Sequence, residues 1–362
     1  MTSTIVAPAS DRARAAERPA RARSDFGPLR SLIQAENLLE RRTGWYARKA
    51  AWLLLAIVVT VDGVLLLSGS WWVLALAPVA AILSAQISFL GHDAGHQQIS
   101  SSRRLNRVFG ILTANVLAGI SYGWWQDKHL RHHANPNPEG LDPDVGEGVI
   151  AWSEEQAAKK TGFARWFARH QAAFFFPLLT FEGWNLHVAG MRSLRDRPFK
   201  ARFWEMGLLV LHFAVYFTFL FTFLSPVQAV LFILIHQGLY GLNLGASFAP
   251  NHKGMEMPPA GSRLDHLRKQ VLTSRDVTGG PLVDFFLGGL NYQIEHHLFP
   301  SMPRPNLKKV QPMVREHCAK HGISYTETSL VGSFAIVVRY LNTVGIAERD
   351  PFVCPLVAAA RN

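Results

Sequence analysis

Two long stretches of the chain, residues 51–90 and residues 203–250, are strongly apolar and contain no lysine or arginine. Gly69-Ser70 divides the first stretch and Ser225-Pro226 divides the second, so each consists of two apolar runs. A helix of about 20 apolar residues crosses the hydrocarbon core of a bilayer. The pattern therefore predicts four transmembrane helices in two hairpins. Their expected positions are about residues 51–69, 71–90, 203–224 and 226–247.

A soluble protein with two buried helical hairpins is the alternative interpretation of these runs. It would have to place four such helices in one core, which is unusual for a chain of 362 residues. Two further apolar stretches, residues 106–125 and 172–190, are interrupted by Gly, Pro or polar residues, and we expect them to lie as helices in the membrane interface. A fifth or sixth span is a weaker alternative, because a single extra span would separate polar motifs that belong on one side.

The distribution of charge predicts the orientation of the helices. Both hairpin turns are short and uncharged, so the N-terminal segment, residues 91–202 and residues 251–362 are expected on one side of the membrane. They carry all 37 Lys and Arg residues, and the positive-inside rule assigns that side, with both termini, to the cytoplasm. The net charge of +11 is therefore attributed to a membrane-facing and cytosolic surface, and no nucleic-acid partner is expected.

The predicted organisation has three parts. Residues 1–45 form a basic N-terminal tail, disordered at its start, with an interfacial segment; residues 46–330 form the membrane domain; residues 331–362 form a cytosolic C-terminal tail. Cys318 and Cys354 match neither a disulfide framework nor a Cys-x-x-Cys motif. Since both lie in the cytosolic part, we expect them to stay reduced.

Three short polar motifs follow the apolar runs and contain seven histidines between them. The motifs are "HDAGH" (His92, His96), "HLRHH" (His129, His132, His133) and "QIEHH" (Gln293, His296, His297). On a helix, residues three and four positions apart lie on one face, so each motif presents its side chains together. In the third motif Gln293 stands where His129 stands in the second, so an amide replaces one imidazole.

This clustering predicts a metal site. Neutral imidazole is a common ligand of Zn, Fe, Cu and Ni, and seven histidines exceed what one tetrahedral ion uses, so they suit two ions. The sequence has neither the His-Glu-x-x-His of zinc proteases nor the Glu-x-x-His of soluble di-iron bundles. A site rich in histidine and poor in carboxylate favours an iron-type, oxygen-activating centre at the membrane face. Structural positions are expected for six other histidines: His170, His212, His236, His266, His317 and His321.

The three motifs, their order and their distance from the apolar runs resemble the three histidine boxes of membrane fatty acid desaturases. The resemblance covers about residues 45–320 and is closest to the branch that has Gln at the start of the third box. It implies an all-α integral membrane protein, in which four transmembrane helices in two hairpins carry a cytosolic helical cap with a histidine-rich di-metal site. It also implies an elongated tunnel for an acyl chain.

The resemblance further implies a fatty acyl desaturase, which uses O2, two electrons and a di-iron centre to introduce a cis double bond into an acyl chain. His252, in "FAPNHKG", takes the place of a further ligand just after the fourth span, and His187 is a weaker outside candidate. The implied iron ligands and catalytic residues are then His92, His96, His129, His132, His133, His252, His296 and His297.

Residues beside these ligands are candidates for holding or orienting the imidazole rings. They are Gln293, Asn251, Asp93, Asp127 and Glu295. For the three carboxylates an ordinary solvated position is an equal alternative. Asp142 and Asp144, in "NPNPEGLDPD", are expected in a turn-rich loop.

Many related desaturases carry a fused cytochrome b5 domain with a His-Pro-Gly-Gly motif, which this sequence lacks. The electrons are therefore expected from a separate donor, such as a ferredoxin with its reductase. The other expected partners are membrane lipids and a fatty acyl substrate in CoA, carrier-protein or lipid form. A di-iron hydroxylase acting on acyl chains or lipids would use the same motifs. A non-enzymatic haem or metal-binding membrane protein is a second alternative, which the position of the histidines outside the apolar runs disfavours.

Overall fold

The computed structural model describes residues 24–196 and 199–347 of the chain. The predicted disordered tail up to residue 23 and Cys354 lie outside these residues. The described part is almost entirely helical, as predicted for an all-α protein. The helices are α1 (Phe26–Ala35), α2 (Thr43–Leu66), α3 (Leu76–Gly95), α4 (Arg103–Ile111), α5 (Tyr122–Ala134), α6 (Glu154–Ala158), α7 (Gly162–Leu179), α8 (Glu182–Ser193), α9 (Phe199–Phe223), α10 (Pro226–His252), α11 (His266–Leu272), α12 (Gly280–Phe286), α13 (Gln293–Leu298), α14 (Arg304–Lys320) and α15 (Leu330–Ala347).

Four helical segments are long and apolar enough to cross a membrane, which confirms the four predicted spans. They are Thr43–Leu66, Trp71–Gly95, Arg202–Phe223 and Pro226–His252. In α3 and α10 half of the apolar window is buried, against 11% in α2 and α9. The inner pair of the bundle is therefore α3 and α10, and the outer pair, α2 and α9, exposes apolar side chains on the surface that would face lipid.

Short-range hydrogen bonds close the two hairpins. The hydroxyl of Ser70 accepts from the backbone N–H of Trp72, at the start of a 3₁₀ turn that leads into α3. At the second turn Ser225 accepts from the N–H of Gln228, whose side chain in turn accepts from the N–H of Ser225. This capping box, with Pro226 in the first turn, starts α10 immediately after α9 ends.

The inner helices continue beyond the apolar runs that revealed them. The predicted spans end at residues 90 and 247, whereas α3 ends at Gly95 and α10 at His252. The extra turns contain polar residues, namely His92, Asp93, Asn251 and His252, and all four are buried by the rest of the chain. As a consequence, the first candidate ligand, His92, lies on a helix that enters the bilayer.

The two interrupted apolar stretches do not form straight spans. Helix α4 leads through a π-helical turn, Leu112–Leu117, towards α5, and the pair Arg103–Leu117 and Tyr122–Ala134 is bent by 115°. Counting this bent pair as one span would give up to five. The second stretch, residues 172–190, is divided between α7 and α8.

A cap of shorter helices covers one end of the bundle. Leu29 and Ile33 of α1 pack into a core with Leu267 of α11, Ile294 of α13 and Val310 of α14. Residues 331–347 of the predicted C-terminal tail (331–362) belong to helix α15. Its buried side chains recur at helical spacing and pack against α7 and α10, which explains why the segment is ordered.

A short parallel pairing of two strands completes the cap. Strand β1 (Asp276–Thr278) pairs with β2 (Glu327–Ser329), with Asp276 opposite Glu327. The pairing ties the start of α15 to the segment that follows α11.

Candidate metal centre

Four helices bring the eight candidate histidines to one place beneath the cap. His92 lies on α3 and His96 directly follows its end; His252 is the last residue of α10. The others belong to α5 and α13. All eight side chains are buried, with 1–9% of their surface exposed. Two of the four helices, α3 and α10, are the inner pair of the bundle.

The close approach of α3 and α5 depends on a glycine. An added Cβ at Gly95 would lie 2.5 Å from the ring of Trp125 and 2.6 Å from Oε1 of Gln126, closer than real Cβ atoms come. Gln126 donates from its side-chain amide to the carbonyl of Gly95 at 3.2 Å. The indole of Trp125 stacks on the ring of His129, with 4.6 Å between the centroids. "HDAGH" and "HLRHH" thus meet because nothing larger than glycine separates their helices.

The first group of histidines combines all three motifs. It consists of His92, His96, His129 and His296, each with one ring nitrogen within 4.8 Å of the others'. The Nε2 atoms of His96 and His129 are 2.7 Å apart. His133 adjoins this group, since its Nε2 lies 3.1 Å from the Nε2 atoms of both His129 and His296.

The second group consists of His132, His252 and His297, whose ligand atoms also lie within 4.8 Å of one another. It joins the second and third motifs to the end of α10. The Nε2 atoms of His132 and His252 are 3.3 Å apart. The ring of His133 stacks on that of His297, with centroids 4.2 Å apart, so His133 lies between the two groups.

Hydrogen bonds on the far side of the second group fix which nitrogen of each ring carries the proton. Nδ1 of His132 lies 2.9 Å from Oδ2 of Asp142, and Nδ1 of His252 lies 3.0 Å from the carbonyl of Thr273. Nδ1 of His297 lies 2.9 Å from Oε1 of Gln270. Each Nδ1–H donates to an oxygen, so each Nε2 is left with a lone pair, and the three lone pairs point towards one another.

This arrangement fits metal ions. Nitrogen lone pairs that converge without a proton between them repel, and a cation placed among them removes the repulsion. Nε2 of His92 and Nε2 of His297 are buried and have no hydrogen-bond partner among the described residues, a costly state that a metal bond would relieve. Burial, followed by the neighbouring imidazoles, holds the pKa of His129 and His133 well below the usual range, so both rings are neutral, as ligands must be.

Gln293 and Asn251 lie against the second group. Nε2 of Gln293 is 2.9 Å from Nε2 of His252. Asn251 donates from Nδ2 to Oε1 of Gln293 at 3.3 Å and to the carbonyl of Leu290 at 3.0 Å. The amide in the third motif therefore occupies a position at the edge of the candidate site, where the spacing argument expected it.

One of the three predicted carboxylates orients a ligand ring. Oδ1 of Asp93 lies 3.2 Å from Nδ1 of His92, and its other oxygen pairs with Arg304. For Asp127 the structure agrees with the solvated alternative: its side chain is 67% exposed and pairs with Arg131, because it lies on the opposite face of α5 from the histidines. Glu295 is buried, but it accepts from the hydroxyl of Tyr325 and contacts no ligand ring.

The sequence did not reveal the other groups that orient the second set of rings. Asp142 was expected in a turn-rich loop, and it does cap a short turn by accepting from the N–H of Asp144. Its second oxygen nevertheless reaches His132, and it also accepts from the N–H of Asn137. Gln270 and Thr273 belong to the α11 region, which carries no histidine-box pattern, so no sequence signal pointed to them.

The remaining described histidines are held by local hydrogen bonds away from the two groups. His187, the outside candidate, donates from Nδ1 to the carbonyl of Gly119 and lies beside Gln237. His212 bonds the carbonyl of Val116, and His236 lies between Tyr216 and Ser84. Six histidines were expected in structural positions. Each of them bonds a backbone carbonyl or another side chain: His170, His212, His236, His266, His317 and His321.

Comparison with known proteins identifies the pattern independently. The family model described as fatty acid desaturase matches residues 69–329, a segment that contains all eight histidines. The chain is 33% identical to an acyl-lipid (9-3)-desaturase of Physcomitrium patens over 90% of its own length and 63% of that protein. It is 31% identical to an acyl-lipid (9-3)-desaturase of Borago officinalis, over 81% of this chain and 68% of that protein. A delta(8)-fatty-acid desaturase of Helianthus annuus is 28% identical over 90% of this chain and 74% of its own length.

Proposed function

Because the chain belongs to the fatty acid desaturase family, we propose that it introduces a cis double bond into a fatty acyl chain. In this reaction two neighbouring methylene groups lose one hydrogen each, and O2 is reduced to two molecules of water. O2 accepts four electrons: two come with the hydrogens of the acyl chain and two come from an external donor, with two protons. The relatives named above are acyl-lipid and fatty-acid desaturases, which supports an acyl substrate for this chain.

Two irons would be held by the two histidine groups. His92, His96, His129 and His296 would bind the first, and His132, His252 and His297 the second, with His133 between them. When bound, the irons would supply the activation of O2 and the removal of hydrogen from unactivated carbon. Asp93, Asp142, Gln270 and the Thr273 carbonyl would keep the rings in the orientation that directs a lone pair inward.

The observation that carries this proposal is the convergence of neutral imidazoles at the ends of the inner membrane helices. His92 on α3 and His252 on α10 lie where two helices leave the apolar part of the bundle. We propose that the acyl chain enters this site from the bilayer side of the cap. Burial of every candidate ligand also excludes bulk water, which protects a reactive centre from side reactions.

The orientation and the electron source belong to the same proposal. The lysines and arginines lie outside the two apolar stretches, which supports a cytoplasmic cap, cytoplasmic termini and a cytoplasmic active site. We propose a separate donor, such as a ferredoxin with its reductase, that delivers two electrons per turnover to this side.

Metal analysis and product analysis test the proposal together. We expect two irons per chain in protein purified without chelators, and we expect acyl products lighter by two hydrogens. Single replacements of His132, His133, His296 or His297 by Ala should abolish the activity, while the variants still insert into the membrane. His170, whose ring bonds the carbonyl of Trp166, provides the matched control, and His170→Ala should remain active.

Three outcomes would contradict the proposed desaturase function. One zinc per chain would exclude the iron chemistry. A product that gains one oxygen would assign the chain to the hydroxylases instead. Wild-type activity in any of the four histidine variants would remove that residue from the proposed ligand set.

A further inference from the structure

A recess opens beside the first histidine group, between the N-terminal parts of α2 and α14, the inner helix α3 and the loop after α12. Its volume is about 320 Å³. Lys49, Arg304 and Lys308 line it together with Asp284 and two aromatic residues, Trp45 and Tyr292. We call it the Lys49 recess.

The cations of the recess outnumber its carboxylates. Arg304 pairs with Asp93, and Lys308 lies 3.3 Å from Asp284. Asp284 is already shared, since it also accepts from the side chains of Asn291 and Tyr292. One cation, Lys49, remains without a carboxylate of its own.

Lys49 is bound only to neutral groups. Its Nζ donates to Oε1 of Gln86 at 2.8 Å and lies 5.2 Å from the centre of the Phe285 ring. Among the described residues no carboxylate comes within ion-pair distance of it. Gln86 is itself held in place, because its Nε2 donates to the carbonyl of Phe285 at 2.7 Å. A half-buried ammonium group that faces an open recess without a counter-charge is a binding site for an anion.

The position of Lys49 along its membrane helix indicates which kind of anion would bind. It is the seventh residue of α2, about 9 Å along the axis of a membrane helix from Thr43. Further along the same helix, Leu54, Leu55, Val58 and Val59 are more than half exposed, as expected of a surface in contact with acyl chains. The anionic group found at this depth, at the boundary between head groups and hydrocarbon, is the phosphate of a glycerophospholipid.

Arg304 connects the recess to the metal-binding side chains. Its guanidinium group lines the recess, donates to the carbonyl of Phe89 at 2.6 Å and pairs with Asp93, which contacts His92. Gly289 leaves room for it: an added Cβ there would lie 2.7 Å from Cγ of Arg304, and the φ of +80° disfavours other residues. Two direct contacts, Arg304 with Asp93 and Asp93 with His92, therefore separate the recess from the first histidine group.

We propose that the Lys49 recess binds the phosphate of a glycerophospholipid, and that the substrate acyl chain reaches the site while esterified to that lipid. The part that concerns the substrate rests on the proposed desaturase function. The binding of phospholipid at Lys49 does not depend on that function, so binding and reaction are measured in separate experiments.

The binding experiment uses full-length protein in an uncharged detergent and native mass spectrometry. The probes are dioctanoylglycerol phosphate, dioctanoylglycerol without the phosphate, and inorganic phosphate. Wild-type protein should bind the first probe and retain neither of the others. Lys49→Gln should weaken binding of the phosphate-bearing lipid by about tenfold or more, the loss expected from one charge-assisted contact. Lys49→Arg should restore it, and Lys308→Gln should weaken it less.

Arg48 supplies the matched control, since it is an exposed neighbour on α2 that does not line the recess. Arg48→Gln should bind the lipid as wild type does. Equal binding by wild type and Lys49→Gln overturns the proposal, as does equal retention of lipids with and without phosphate. Binding of inorganic phosphate with the same affinity would mean that the recess selects a small anion and not a lipid.

The reaction experiment compares one acyl chain in two forms, esterified in a phospholipid and as a CoA thioester. Lys49→Gln should raise KM for the phospholipid by about tenfold, leave kcat within about twofold and leave the thioester unaffected. Preference of wild type for the thioester overturns the substrate part. If wild type desaturates neither form while lipid binding still depends on Lys49, the proposed function fails and phospholipid binding at the recess stands.

Discussion

Gln293 occupies a position where an imidazole would extend the ligand set, and its amide is oriented by its neighbour. Asn251 donates to Oε1, which turns Nε2 towards His252. Imidazole and amide differ in what they offer a cation, because an amide binds through oxygen and only weakly to iron-type ions. The third motif therefore provides two imidazoles and one polar group that constrains His252.

We predict that Gln293→Leu inactivates the enzyme, because it leaves Nε2 of His252 without its polar neighbour and removes the acceptor of Asn251. Gln293→His should retain part of the activity by restoring the pattern of the second motif. Turnover and iron content of both variants provide the test. A fully active Gln293→Leu enzyme would show that a shared helix face does not imply a shared role at this position.

Asp142 and Asp127 offer a matched pair of carboxylates near the same helix. Asp142 is buried against His132, whereas Asp127 is exposed and pairs with Arg131. We predict that Asp142→Asn lowers iron affinity by about 10- to 100-fold, the usual effect of losing a group that orients a ligand, and that Asp127→Asn leaves it unchanged. Competition with a chelator of known affinity measures both. Equal iron affinity in the two variants would contradict the orienting role of Asp142.

At the residue scale the sequence predicted which histidines come together better than it predicted the groups that orient their rings. The histidines follow helical spacing within short motifs, so their grouping can be read locally. The partners of the rings come from distant segments: Gln270 contacts His297 across 27 positions, and the Thr273 carbonyl contacts His252 across 21. Such contacts depend on how α11 packs under the cap, and a short sequence motif does not indicate this packing.

Among the elements, the spans were predictable because apolar runs of about 20 residues without Lys or Arg have few alternatives. Their ends were not, since α3 and α10 continue as polar helices whose burial depends on the cap. The segment that forms α15 was assigned to a tail because its order depends on packing that the sequence does not indicate. An apolar stretch of 18 residues beyond the last motif does not reveal its packing partner, α7. The sharp bend between α4 and α5 contains no proline; it follows the π-helical turn and includes Gly119, whose φ is +70°.

Contact between α3 and α5 sets the distance between the first two motifs. We predict that Gly95→Ala separates these helices and costs about 1–3 kcal/mol of stability, the usual effect of overpacking, with a loss of iron and activity. Gly207→Ala, on α9, is the control, because nothing lies within 4 Å of an added Cβ there. Thermal unfolding and iron content of both variants provide the measurement. Wild-type iron content in Gly95→Ala would show that the helices can move apart without cost to the site.

For the whole molecule, the distribution of exposed cations bears on where an electron donor docks. The segment 192–202 lies partly outside the described residues, and Arg268, in the segment 266–270, is already paired with Asp25 and Asp265. Arg103, Arg104 and Arg107 on α4 are exposed, and α4 packs against α3, which carries His92. Among the described residues these three arginines have no carboxylate within ion-pair distance.

We predict that an acidic ferredoxin is steered to this face of α4. Replacing all three arginines by Gln should raise the apparent KM for the donor by about tenfold at low salt, and the difference from wild type should shrink as salt rises, because the screening length is about 8 Å at physiological ionic strength. Arg268→Gln is the control. Turnover is measured in neutral detergent, which removes the competing effect of anionic lipid. A donor KM that does not depend on salt in wild type would exclude steering.

The candidate ligands are spread over 206 positions of the chain, from His92 to His297, and over both hairpins and the cap. During synthesis the first hairpin carries only His92 and His96, two ring nitrogens that hold an iron weakly. The second group is complete only once α10 has been inserted and α13 has folded onto it. The proposed second iron would therefore bind only after both hairpins have been inserted. A cell starved of iron would accumulate an inserted, metal-free protein that iron can activate later without new synthesis.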